Sequence, residues 1–149
     1  MTATSNRPED LTLKIEQTIE IGAPIEVAFE SLLEQIGPQN QTPDGTAMPM
    51  EIEPWPGGRW YRNLGDNNGH LWGHVQAVKR PTLLEICGPL FMSHAAISNV
   101  QYRLAEEGGK VLLTFRYHGL GILDEKLREG MTAGWSHVLE RIRVAAESS

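Results

Sequence analysis

Residues 123–147 read LDEKLREGMTAGWSHVLERIRVAAE. Set at 100° per residue, Leu127, Met131, Gly134, Trp135, Val138, Leu139, Ile142, Ala145 and Ala146 fill an arc of roughly 140°, and most other positions are charged or small polar. The spacing predicts one long amphipathic helix whose stripe needs a large apolar surface to lie on. Gly130 and Gly134 fall on one edge of that stripe, each weakening a helix by up to ~1 kcal/mol relative to alanine. Glycines there suit either a close approach of backbone or a volume left vacant for a ligand.

Working back from the helix, the only surface large enough is a sheet. Short β-like runs occupy 50–53, 59–64, 70–79, 83–87, 95–105 and 110–118, and their separators are brief and rich in glycine, proline, asparagine and aspartate. Strands joined so closely are antiparallel neighbours. A further strand is read at 11–21, where Leu11, Leu13, Ile15, Ile19 and Ile21 alternate with polar residues, interrupted only by Gln17. Pro24 then suits the first helical position, and Ile25, Ala28, Phe29, Leu32 and Ile36 continue at helical spacing until Gly37-Pro38. The class is therefore α+β, with six to seven antiparallel strands curved around one long C-terminal helix. Residues 37–49, GPQNQTPDGTAMP, are read as a mobile loop and residues 1–9 as a flexible N-terminus.

The totals fit that picture. A chain of 149 residues suits one domain, 1–149, which buries roughly 70% of the surface its unfolded form exposes. The net charge of −6 lacks the positive field that holds nucleic acid or anionic lipid. No run approaches the ~20 apolar residues that span a bilayer, and the first residues lack the apolar segment of a signal peptide. With Cys87 as the single cysteine, an intrachain disulfide and a cysteine-based zinc cage are excluded, and the expected setting is soluble, unprocessed and cytoplasmic. Neither nucleic acid nor membrane insertion is expected.

Chemistry-bearing residues are sparse. His70 and His74 on one strand face would lie about 13 Å apart, too far for a shared metal, and His94, His118 and His137 are scattered. Cys87 has no acid or base near it in sequence and reads as a buried structural thiol. No metal, cofactor or catalytic set is assigned. Alternation turns Ser98, Tyr102 and Tyr117 inward, where they are the polar groups available to orient a ligand. Trp60 and Trp72 offer flat apolar surface with one N–H donor, Trp135 and Val138 lie on the helix stripe, and Met92 and Met131 add adaptable surface. Together these nine residues form the expected ligand-binding set. Leu83, Ile97 and Leu112 point outward and leave a homodimer open.

Four segments carry a family likeness. Ile21-Gly-Ala-Pro-Ile-Glu-Val-Ala-Phe29 resembles the "I-x-A-P-x-E-x-V-[WF]" opening of proteins related to the activator of the heat-shock protein 90 ATPase. Glu53-Pro-Trp-Pro-Gly-Gly-Arg-Trp-Tyr61 resembles their "E-x-x-x-G-G-x-[WY]" hairpin, Trp72-Gly-His-Val75 their "G-x-V" strand, and Gly134-Trp135 with Leu139 the "E-G-W-x-x-x-L" start of their last helix. The family commonly has a second short helix after the first, where this chain has 37–49, and "T-H-x-G" where it has Arg116-Tyr117-His118-Gly119. The resemblance implies the helix-grip fold of START-like (SRPBCC) domains, with an apolar pocket between sheet and helix for a small hydrophobic or aromatic molecule. It also implies two alternatives, an enzyme of polyketide cyclase or dehydratase type and a stress-response or chaperone-associated protein. The chaperone role belongs to longer members with an additional domain.

Overall fold

The computed structural model describes residues 11–90 and 95–149. The N-terminal segment read at 1–9 and the candidate Met92 lie outside them. The alternating stretch forms β1 (Thr12–Ile21), and α1 (Ile25–Ile36) follows after one corner. Pro24 stands at the N-cap position, one residue before the first helical position expected of it, and its carbonyl accepts from the Ala28 amide at 3.0 Å. The remaining strands are β2 (Glu51–Ile52), β3 (Arg59–Gly65), β4 (Asn68–Lys79), β5 (Leu83–Gly88), β6 (Ala96–Glu107) and β7 (Lys110–Gly121), and the chain ends in α2 (Glu125–Glu147).

All seven strands form one antiparallel sheet in the order β1-β7-β6-β5-β4-β3-β2. The first strand therefore pairs with the last, with Ile15 opposite Tyr117. Register shifts within β3–β4 and β4–β5 mark the irregularities at which a sheet bends. The concave face carries Leu84, Ile86, Val100, Tyr102, Leu104, Leu113 and Phe115, all buried as period-two alternation requires. Onto it α2 lays Met131, Trp135, Leu139, Ile142 and Ala146, and the start of that helix is closed by the Asp124 carboxylate accepting from the Leu127 amide at 2.7 Å. This is the expected α+β helix-grip architecture.

Cys87 departs from its reading as a buried thiol. Because Leu84 and Ile86 face inward, Cys87 faces outward and is half-buried, with the Asn99 side-chain amide donating to its sulfur at 3.1 Å. No helix among the described residues is long and apolar enough to cross a membrane.

Candidate functional site

The site begins at the turn between β2 and β3. The Glu53 carboxylate accepts from the Arg59 amide and Nε at 2.8 Å each and from its Nη2 at 2.8 Å. These bonds hold the carboxyl down to about 2, the guanidinium being the largest cause. Gly58 is obligatory here, since a Cβ would lie 1.9 Å from the Glu53 carbonyl oxygen. The closed turn aims Trp60 inward, where its indole N–H donates to the Ile36 carbonyl at 2.8 Å and so satisfies an acceptor in the last turn of α1. Trp72 on β4 meets the Trp60 ring edge to face, with centroids 5.0 Å apart.

Opposite these tryptophans lies the glycine edge of α2. A Cβ on Gly130 would meet no atom within 4 Å, and one on Gly134 would meet only the Pro43 ring at 3.7 Å. Between the two walls is a cavity of about 170 Å³, bordered by Trp60, Trp72, Leu127, Met131, Trp135 and Val138, with Ile36 at the end of α1. An apolar cavity of about 150 Å³ is large enough to take up benzene. No ionisable side chain lines this one.

The third wall is the connector 37–49. It folds back as a strap: the Thr42 amide donates to Thr46, the Met48 amide to Asn40, and the buried Asn40 side chain to the Met48 carbonyl at 3.0 Å. At its tip Asp44 accepts from the Thr42 hydroxyl and the Thr46 amide, which hold its carboxyl down to about 2. Arg141 of α2 anchors its base, donating to the Gln35 side chain at 2.8 Å and the Gln39 carbonyl at 3.3 Å. Pro43 and Gly130 are exposed, whereas Trp60, Trp72, Trp135 and Met131 are buried, so the cavity opens between strap tip and glycine edge and ends against the indoles.

Of the expected ligand-binding residues, the structure brings Trp60, Trp72, Met131, Trp135 and Val138 to this cavity. Ser98, Tyr102 and Tyr117 are buried on the concave face but do not border it. The Trp135 ring, which does, packs 4.6 Å from Phe115, 6.2 Å from Tyr102 and 6.4 Å from Tyr117. Ser98 and Tyr117 share a hydroxyl–hydroxyl bond of 2.7 Å. Burial pushes the Tyr117 hydroxyl up, against the lowering effect of Ser98, and pushes Tyr102 well up, so both are protonated donors at neutral pH. Leu127 and the strap residues Asn40, Gln41, Thr42, Pro43 and Met48 border the cavity without having been singled out. Met48, an apolar residue in a polar connector, was the available signal. Among the described residues no group of three or more His, Cys, Asp and Glu could hold a metal ion.

Solved structures share this fold. The di-domain ARO/CYC StfQ from the steffimycin biosynthetic pathway is similar with a TM-score of 0.68 at 14% identity over 95% of this chain, which spans about half (52%) of that protein. EF2215 of Enterococcus faecalis, a conserved protein of unknown function, gives 0.65 at 21% identity, covering 95% of this chain and 75% of that one. BH1534 of Bacillus halodurans gives 0.63 at 22% identity, covering 92% and 99%. At such identities the likeness is one of fold. No curated protein matches the chain. Residues 23–147, from the corner before α1 to the last residue of α2, match the family described as activator of Hsp90 ATPase homolog 1-like protein, and the chain belongs to that family, within the START-like (SRPBCC) branch.

Proposed function

We propose that this protein binds a small, mainly apolar aromatic molecule in the cavity between α2, the strap and the Trp60–Trp72 pair. The supporting observation is the composition of the wall: three of the chain's four tryptophans border a hollow of about 170 Å³ without a charged side chain. Sites of this kind bind by apolar burial and orient the ligand by a few polar groups, here the amide and hydroxyl side chains of Gln41 and Thr42. The remaining tryptophan, Trp55, is 55% exposed and reports little on the cavity. Native mass spectrometry of the purified protein tests the reading by finding a co-purified small molecule. Titration with 4-methylphenol, followed by calorimetry, tests it without one: saturable binding that Trp135→Ala weakens supports it, and heat of dilution alone overturns it.

A second reading, an enzyme of cyclase or dehydratase type, rests on the Ser98–Tyr117 hydroxyl pair packed beside Trp135. The pair does not itself border the cavity. Turnover of a polyketide-like substrate that Tyr117→Phe abolishes, with ligand binding intact, selects this reading. An interaction role rests on the outer face, where Ile97 and Leu120 stand opposite each other in register and are 73% and 56% exposed. Sedimentation at several concentrations, with Ile97→Glu as control, reads out a homodimer formed there.

A further inference from the structure

Gly130 and Gly134 have no structural reason to be glycine. Neither has a positive φ, and neither is pressed by a neighbour: a Cβ at Gly130 would meet nothing within 4 Å and one at Gly134 only an ordinary contact with Pro43. Alanine would stabilise the helix at both positions. What the two share is the cavity, which both border at its open side. Four residues apart, they lie one above the other on α2, so the space they leave runs about 6 Å along the helix. The deep end is closed by Trp60, Trp72 and Trp135, and the hollow is about the size of one aromatic ring. Anything attached to a ring seated there has its way out beneath the strap tip, past the glycines.

We propose that Gly130 and Gly134 are specificity-determining: they keep open a slot for an apolar tail, so the preferred ligand is a single aromatic ring bearing a short alkyl chain. The proposal rests on the cavity being a binding site and adds which ligands it prefers. Calorimetric titration of the full chain with 4-methylphenol and 4-hexylphenol separates the two claims. Hexylphenol binds the wild type about tenfold or more tighter, because each buried methylene favours binding about fourfold and the tail is only partly covered. Gly130→Leu, placed where nothing lies within 4 Å and so compatible with folding, removes that advantage, bringing the Kd values of the two phenols within about twofold of each other. In parallel, Gly130→Ala and Gly134→Ala raise Tm by about 2–4 °C. Equal binding of the two phenols by the wild type, or an unchanged hexylphenol advantage in Gly130→Leu, overturns the slot while the binding site stands. A lowered Tm in both alanine variants shows that packing required the glycines and overturns it too. Absence of binding by either phenol removes the site and the slot together.

Discussion

The two halves of α2 meet different neighbours. From Leu139 onward, Leu139, Ile142 and Ala146 are buried in the core shared with α1 and the sheet, and the end of the helix is held by the Glu147 carboxylate accepting from the Gly22 amide at 2.8 Å. From Leu127 to Val138 the same stripe continues, but Gly130, Gly134 and Val138 border a hollow. Fold and periodicity are the same in both halves. The hollow is made by omitting side chains from one edge of a helix and laying a strap across the gap, which leaves the solid half to supply the stability.

That division predicts unequal responses to truncation. Ile142→Ala, in the solid half at 0% exposure, destabilises by about 2–5 kcal/mol, read from urea unfolding. Trp60→Phe comes next at about 1–3 kcal/mol, because it leaves the buried Ile36 carbonyl without its indole donor and frees the end of α1 from the sheet. Val138→Ala, at a half-buried residue that packs on the core and borders the hollow, costs about 1 kcal/mol or less. Per carbon removed, Val138 must fall below Ile142. Equal costs would show the glycine half to be packed as tightly as the other.

The two halves were unequally legible in the sequence, for physical reasons. The stripe and the strands announce themselves because apolar residues repeat at 3.6 and at 2, and burial of Met131, Trp135, Leu139 and Ile142 follows from angle alone. The glycine edge was legible as a choice between close packing and vacancy, and the absence of any atom near Gly130 excludes close packing there. The strap was not legible as a wall. Its position depends on the Asn40 side chain folding back to Met48 and on Arg141 reaching Gln39 from 102 residues away, contacts that leave no period in the chain. Alternation correctly turned Ser98, Tyr102 and Tyr117 inward. Alternation does not say which inward residues meet the hollow: Trp135 borders it, and Tyr102 and Tyr117 pack against the Trp135 ring without reaching the hollow.

The smallest effect concerns the turn that aims Trp60 into the hollow half, and its sign follows from linkage. Glu53 has its carboxyl held down to about 2 in the fold by Arg59, below the ordinary carboxylate value of about 4.3 that it regains on unfolding. A group lowered in this way supports the folded state fully above about pH 4.3, and that support disappears as pH falls through about 2. Glu53→Gln keeps an oxygen for the Arg59 amide but loses the charge that faces the guanidinium. It is therefore less stable than the wild type at pH 7, by a small margin because the pair is partly exposed, and the difference closes between about pH 4.3 and 2. Urea midpoints of the two proteins across that range read the convergence. The solid half has its own carboxylate held down by an arginine, Glu140 beside Arg143, but Ile142 carries no charge, so Ile142→Ala keeps its full cost across this range, while the Glu53 effect should appear in phenol binding at the hollow end. A Glu53→Gln protein whose deficit persisted unchanged at pH 2 would mean that the charge of Glu53 does not hold the turn.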